Sequence, residues 1–222
     1  MIKRLNKKNA FMKKNIISIL LVFSVIMAEA QRMDEVFIKM PDDIVIQLEE
    51  AWRKDLVEIY KSGKPAVLEN TMQGKSTLQK LTDDYLLLQS TEHSSVELKL
   101  LPLVNNTFII CMVETVFAPV ADSRISFYTT EWQPLLSDGL YTPVTEKMFV
   151  KVEEELSQSE LSIAPAPGSA IFLVKYNLGV ENATLTAEYT TPQYFDEENR
   201  NKMQALLKTE SIVYKWNSGR FE

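Results

Sequence analysis

The stretch from residue 81 to residue 129 constrains the fold most, because four runs with strand character follow one another without an intervening helix. The four runs are 85–88, 96–100, 108–117 and 124–129. Short turn signals separate them at 93–95, at Asn105-Asn106 and at 119–123. Strands joined by such turns pair antiparallel, so the sequence predicts a β-meander. The third run is apolar throughout and suits a central strand, whereas the second alternates apolar and charged residues like a strand with one wet face.

Helical periodicity marks segments on either side of the meander. Apolar residues recur every three or four positions over 42–61, so we expect a helix there. The acidic pair Asp42-Asp43 is expected to form its first turn and Ser62-Gly63 to end it. Asp196 is expected to cap a second helix, because a side-chain oxygen at that position accepts from the first free backbone N–H groups.

The remaining segments add strands and a loop. Residues 171–178 and 184–190 are strand candidates around a turn at Glu181-Asn182, and 212–216 alternates as a last strand. Thr145 is expected to cap a short helix, although 148–152 suits a strand equally well. Pro, Ala and Gly make 164–169 a predicted loop.

Together these elements predict an α+β fold, with one or more antiparallel β-meander sheets of about seven strands and two or three packing helices. We expect residues 31–222 to form a single α+β domain. A weak sequence similarity between the segments after Pro41 and Pro192 suggests two related sub-halves that meet near residue 140.

The first thirty residues are unlike the rest. Six basic residues precede an apolar run over 16–28, and Ala28-Glu29-Ala30 follows with small residues at the two positions that a signal peptidase recognises. The run is too short for a membrane span of roughly 20 residues. We therefore expect residues 1–30 to be a cleaved secretory signal peptide, with an uncleaved anchor as the alternative. We expect the protein to be periplasmic or extracellular.

Cleavage at this point changes the charge. The whole chain has 24 basic and 30 acidic residues, and loss of six basic residues and Glu29 leaves 18 and 29, a net charge of −11. Such a chain disfavours nucleic acid and favours basic partners. The later sequence has no run long enough to cross a bilayer, so we do not expect an integral membrane protein after cleavage. The one cysteine, Cys111, lies in an apolar run and is expected to be buried.

The usual catalytic patterns are weak or incomplete. Residues 73–77 imitate the end of a phosphate-binding loop, but Glu69 stands where the pattern needs glycine, so we expect a turn. The one histidine, His93, is expected in an exposed turn. One His and one Cys do not make a zinc site. We therefore expect no catalytic, cofactor-binding or metal-binding residues and no cofactor.

Acidic pairs and loop aromatics have ordinary explanations. Asp83-Asp84 is expected to cap a turn and the acidic run 153–155 to form a solvated face. Four aromatic residues fall in loop-like stretches, namely Trp132, Tyr141, Tyr194 and Phe195. They are expected to pack beneath those loops, or alternatively to anchor a partner or glycan.

Asp122, Ser123 and Arg124 form the preferred candidate for a ligand or partner contact. They are expected in a polar turn between two strands. Arg124 would then either pair with a carboxylate or bind an anionic ligand.

Several blocks of the sequence resemble the DUF3256 family of Bacteroidales bacteria. The blocks are 37–42, 74–76 with 81–85, 119–128 and 212–217. The resemblance implies a secreted or periplasmic protein of a Gram-negative anaerobe, and it supplies no catalytic residues.

The sequence favours a non-catalytic binding or interaction module of the bacterial cell envelope, with an envelope protein or a glycan as partner. The alternatives are a carboxylate-dependent hydrolase acting on envelope glycans, and an inhibitor or chaperone-like module that offers a sheet edge. A hydrolase requires a deep pocket holding two convergent acids, whereas a binding module predicts a shallow apolar patch.

Overall fold

A seven-stranded antiparallel sheet forms the centre of the computed structural model, which describes residues 31–151, 171–208 and 210–222. Its strands lie side by side in chain order. They are β1 (Ala66–Glu69), β2 (Lys75–Leu81), β3 (Tyr85–Thr91), β4 (Ser94–Pro102), β5 (Phe108–Val116), β6 (Asp122–Thr129) and β7 (Pro134–Leu135). The predicted meander is therefore confirmed as β3–β6, with β5 next to β4 and β6 as expected.

Three strands of this sheet, β1, β2 and β7, were not expected from the sequence. β1 and β2 form a hairpin whose turn includes Gln73, at a φ of 62°, and Gly74. Of residues 73–77, which imitate the end of a phosphate-binding loop, Gln73 and Gly74 lie in the expected turn, whereas 75–77 begin β2. β2 has only two fully buried side chains, Ser76 and Leu78, and so carries little apolar signal.

Two helices cover one face of the sheet. They are α1 (Met33–Ile38) and α2 (Glu50–Lys61). Their apolar side chains form a core with the residues of β2–β5 that point to this face. The main members from the sheet are Leu78, Leu86, Leu88, Val96, Leu98, Leu100, Ile110 and Met112. Trp132 is buried against this core and donates its indole N–H to the Val36 carbonyl oxygen at 2.9 Å.

The predicted start of the first helix is wrong. α2 begins at Glu50, and residues 41–49 form turns and bends instead of an acidic first turn. The cause is Arg53, which is fully buried and donates to the carbonyl oxygens of Ile38, Met40 and Leu48. Its Nη1 also lies 2.9 Å from Oδ1 of Asp42. The guanidinium thus holds the preceding segment folded back on the helix, while the predicted end at Ser62 is confirmed.

A second, four-stranded antiparallel sheet covers the other face of the large sheet. Its strands are β8 (Val174–Leu178), β9 (Thr184–Tyr189), β10 (Ile212–Asn217) and β11 (Arg220–Phe221), in the order β11-β10-β9-β8. The strands predicted around Glu181-Asn182 and at the chain end are confirmed as β8, β9 and β10. Position 179 favours glycine, because a Cβ there would lie 2.7 Å from the backbone oxygen of Asn182 as well as 2.1 Å from its Oδ1.

One short helix precedes the second sheet in the chain, and two more lie between β9 and β10. They are α3 (Glu146–Phe149), a 3-10 helix (Thr191–Tyr194) and α4 (Glu197–Leu206). The cap predicted at Asp196 is confirmed, because its side chain accepts the Asn199 N–H at 3.0 Å. A helix follows Thr145 as predicted, but it ends at Phe149, and Val150 then forms an isolated bridge with Leu207. The predicted loop 164–169 and the acidic run 153–155 lie outside the described residues.

The second core lies between the two sheets. It includes Cys111, Val113 and Phe127 from the large sheet and Tyr176, Leu178 and Leu185 from the small one. The expected burial of Cys111 is confirmed. The prediction that one face of β4 is exposed to solvent is wrong, because the second sheet covers that face. Glu97 is only 7% exposed and Lys99 only 1%. All the elements named above belong to one unit, Arg32–Glu222, and the α+β fold class is confirmed.

Candidate functional site

Two charged side chains of β4 lie between the sheets, and each has partners on both. Lys99 lies with its Nζ 2.8 Å from Oδ2 of Asp84 and donates to the Val180 carbonyl oxygen at 2.9 Å. The same ammonium lies 5.9 Å from the centre of the Tyr85 ring. A buried charge is tolerated only when it is paired and hydrogen-bonded, and these contacts satisfy that requirement. Asp84 is therefore more than the turn cap expected from the sequence.

Glu97 joins the two sheets in a similar way. Its Oε2 accepts the Tyr85 hydroxyl at 2.9 Å and the Leu178 N–H at 2.9 Å. Burial raises the pKa of this carboxyl above its ordinary value, although the two hydrogen bonds and the charge of Lys175 act in the opposite direction. Burial also raises the pKa of the Tyr85 hydroxyl, with the nearby Glu97 charge adding to the shift.

The outer edge of β8 is closed by side chains of the large sheet rather than by another strand. The N–H groups of Val174, Tyr176 and Leu178 point outward from this edge. Val174 donates to Oδ1 of Asp122 at 3.1 Å, and Tyr176 donates to Oγ of Ser123 at 3.0 Å. Glu97 receives the third N–H, so three polar side chains satisfy a row of donors that an exposed edge would leave free.

A pocket of about 400 Å³ opens beside the Asp122 end of this edge. We call it the Asp122 pocket. It lies between the start of β6, the segment 137–144 and the start of β8, and aromatic or apolar side chains dominate its lining. The lining residues are Asp122, Ser123, Ile125, Ser137, Tyr141, Pro143, Val144, Phe172, Val174 and Tyr176. Ligand pockets in proteins commonly have volumes of about 300–1,000 Å³.

Two tyrosines hold the inner wall of the pocket in place. The hydroxyls of Tyr141 and Tyr176 lie 2.7 Å apart, and their rings meet edge to face with centroids 6.1 Å apart. Tyr141 also packs edge to face against Tyr214. Burial raises the pKa of the Tyr141 and Tyr176 hydroxyls, so both stay protonated near neutral pH. This wall therefore offers neutral aromatic surface.

Phe172 forms the outer part of the lining. It is 40% exposed and lies with its ring centroid 6.4 Å from that of Phe149 and 5.6 Å from that of Tyr189. The Phe172 ring is therefore packed against two other rings and still partly exposed at the pocket.

Asp122 brings the charge of the pocket. Its Oδ1 accepts from Val174, and no described residue bonds its other oxygen. Among the described residues that line the pocket, Asp122 is the one acid and no base is present. The hydrolase alternative needs two carboxylates facing one cleft about 5–10 Å apart.

The predicted candidate group Asp122, Ser123 and Arg124 is divided by the structure. Asp122 and Ser123 lie in β6 rather than in the predicted turn, so that placement is wrong, whereas Arg124 lies in a strand as the run 124–129 predicts. Asp122 and Ser123 line the pocket, whereas the guanidinium of Arg124 lies 2.6 Å from Oε2 of Glu114, its cross-strand partner on β5. The expected ion pair of Arg124 is confirmed, and its guanidinium is not part of the pocket.

Other sequence candidates lie away from the pocket. His93 is in the exposed turn between β3 and β4, as expected. Trp132 packs beneath its loop as expected, whereas Tyr194 is 48% exposed. Over the described ranges, no group of three His, Cys, Asp or Glu side chains is placed to hold a metal ion. None of the described helices has both the length and the apolar character needed to cross a bilayer.

Sequence reasoning missed several residues of the site. It gave no signal for Phe172 and Tyr176, because they reach the pocket from β8 and the residues before it, about fifty positions after Asp122. Tyr141 was noted only as a loop aromatic.

The fold and the pocket define a three-layer α+β protein, with helices, a large sheet and a small sheet, that carries an open aromatic pocket containing one carboxylate. Residues 25–221 match the model of a family described as "Protein of unknown function (DUF3256)", and the chain belongs to this family. The resemblance seen in the sequence is thus confirmed.

A solved structure supports the same fold. A domain of an uncharacterized protein from Porphyromonas gingivalis W83 is 28% identical in sequence and superposes with a TM-score of 0.71. The match covers 87% of this chain and 99% of that one. No curated protein matches this chain significantly.

Proposed function

We propose that this chain is an exported, non-catalytic binding module of the bacterial cell envelope, and that it holds its partner through the Asp122 pocket. The observation that carries the proposal is the lining of the pocket. Neutral aromatic rings supply contact area, and a single carboxylate and two serines supply polar contacts. Such a combination is typical of sites that bind and orient a ligand.

The polar side chains of the pocket already have structural partners. Oγ of Ser123 lies 2.9 Å from Oγ1 of Thr115 and accepts from Tyr176. Asp122 holds the edge of β8 through Val174. No described histidine or lysine lies in the lining to activate either group. This arrangement supports a role in binding more than one in nucleophilic attack.

Export is the second part of the proposal. It rests on the basic and apolar pattern of residues 1–30 and on the Ala28-Glu29-Ala30 site. N-terminal sequencing of the protein from the native envelope fraction should begin at Gln31. A protein that still begins at Met1 would contradict cleavage.

A substitution at the mouth of the pocket tests the binding role. Ser137 is exposed and lines the pocket, so S137W should fill the space with little effect on the core. A matched control is S62W, because Ser62 is also exposed but lies at the end of α2 on the opposite face of the large sheet. Urea unfolding should first show that both variants are folded.

The readout is affinity capture of envelope components by the tagged full chain, with identification by mass spectrometry. We expect the wild type and S62W to capture the same component and S137W to lose it. Equal capture by S137W would contradict binding through the pocket.

A further inference from the structure

We infer that the Asp122 pocket takes a cationic side chain, lysine or arginine, from a basic segment of a partner protein. This inference rests on the proposed function and specifies the chemical class of the ligand. The carboxylate would face the cation, and the aromatic lining would contact the cation and its aliphatic stem.

The charge inside the pocket is the first support. Asp122 uses one oxygen to hold β8 and leaves the other without a bond from any described residue. No basic side chain lines the pocket to neutralise it. The carboxylate is exposed and hydrated in the free protein, so a ligand ammonium or guanidinium replaces water and gains a charge-assisted hydrogen bond.

The aromatic lining is the second support. A cation is attracted to the face of an aromatic ring within about 6 Å of its centre. The accessible ring of Phe172 and the neutral rings of Tyr141 and Tyr176 surround the same space as Asp122. A carboxylate beside such rings suits a long basic side chain, whose apolar stem and charged end need different surroundings.

The charge of the whole domain is the third support. Residues 31–222 contain 18 basic and 29 acidic residues. This excess attracts a basic partner over long distances and disfavours an acidic one. Leu136, which is 85% exposed and precedes Ser137 at the pocket mouth, gives apolar contact for residues that flank the inserted side chain. A protein segment uses both features, whereas a small free amine uses only the pocket.

Nuclear magnetic resonance titration of the 15N-labelled protein tests the inference. The main probe is the capped peptide Ala-Leu-Lys-Leu-Ala, and its matched control carries norleucine in place of lysine. Two further probes are n-butylammonium and N-acetylglucosamine. We expect the lysine peptide to shift the amide resonances of Val174 and Tyr176, and the norleucine peptide to leave them unchanged at the same concentration.

Two variants separate charge from ring contact. D122N keeps an oxygen that can accept the Val174 N–H but removes the negative charge. It should lower the affinity for the lysine peptide about tenfold or more. F172L keeps apolar volume but removes the ring, and it should weaken the same peptide about threefold. D55N is the matched control, because Asp55 is an exposed aspartate of α2 on the other side of the large sheet, and it should leave the affinity unchanged.

The other outcomes overturn the inference in distinguishable ways. If the norleucine peptide binds as tightly as the lysine peptide, the pocket does not recognise a cation. If n-butylammonium binds as tightly as the lysine peptide, the pocket does not require a protein segment. If N-acetylglucosamine binds and D122N does not affect its binding, the ligand is a glycan and not a cationic side chain. The proposed binding function then stands. If no probe shifts the pocket amides, the inference is wrong, and capture by S137W decides the proposed function separately.

Discussion

The Lys99–Asp84 pair should respond very differently to removal of its two members. In D84N the ammonium of Lys99 stays buried, at 1% exposure, without a counter-charge. In K99M the charge itself is removed, and Asp84, whose side chain is 50% exposed, stays in contact with water. Both substitutions delete the same ion pair, so a pairwise view predicts equal costs.

The magnitudes follow from which charge is left behind. Breaking a buried pair so that one charge is uncompensated costs about 3–5 kcal/mol. The Val180 carbonyl oxygen still accepts from Lys99 in D84N, which places the expected loss near the lower end, at about 3 kcal/mol. K99M loses the two contacts of the ammonium but also its desolvation cost, so we expect a loss of about 1 kcal/mol or less.

Urea unfolding of the two single variants and of the double variant measures these costs. Once Lys99 is methionine, replacing Asp84 leaves no buried charge without a partner. The double variant should therefore be about as stable as K99M alone. A K99M variant that loses as much stability as D84N would refute the reasoning, and so would additive losses in the double variant.

Three further predictions concern buried polar groups. Burial raises the pKa of Glu97 above 4.5, so the folded protein binds this proton more tightly than the unfolded chain. The unfolding free energy of the wild type relative to E97Q should therefore fall as the pH rises from about 4.5, and a constant difference in urea titrations would contradict this. R53K should lose about 1–3 kcal/mol in the same assay, because an ammonium lacks the planar fork that reaches the carbonyl oxygens of Ile38 and Met40; no loss would contradict that role. W132F should lose about 1 kcal/mol with the hydrogen bond to the Val36 carbonyl oxygen, and full stability would show that the bond contributes nothing.

The meander could be predicted from the sequence because its signals are local. Turn residues such as Asn106, at a φ of 62°, separate runs of apolar residues, and neighbouring strands then pair in chain order. The end of α2 at Ser62 is local in the same sense.

The errors concern contacts between distant parts of the chain. Alternation along β4 shows that Glu97 and Lys99 share a face, but not that a second sheet covers it. Their partners Leu178 and Val180 lie 81 positions further along the chain. The start of α2 was misplaced for a related reason, because Arg53 bonds the backbone of the preceding segment.

The candidate site was predicted in part. The polar character of Asp122 and Ser123 marked them as unusual, and both line the pocket. Arg124 was grouped with them because it is adjacent in the sequence, but its guanidinium pairs with Glu114 of the neighbouring strand, a contact that the sequence does not show. The aromatic residues that give the pocket its character come from distant parts of the chain, namely the segment 137–144, the residue Phe172 before β8, and Tyr176 of β8.

Photo-crosslinking in intact cells tests most directly whether a partner occupies the Asp122 pocket. The chain would carry p-benzoylphenylalanine in place of Phe172 or, as a matched control, in place of Phe117. The two side chains are 40% and 39% exposed, and only Phe172 lines the pocket. We predict a discrete crosslinked product from position 172 that is absent at position 117 and is lost when S137W is added. Equal products from the two positions, or a product from position 172 that S137W does not affect, would contradict the assignment of the pocket as the binding site.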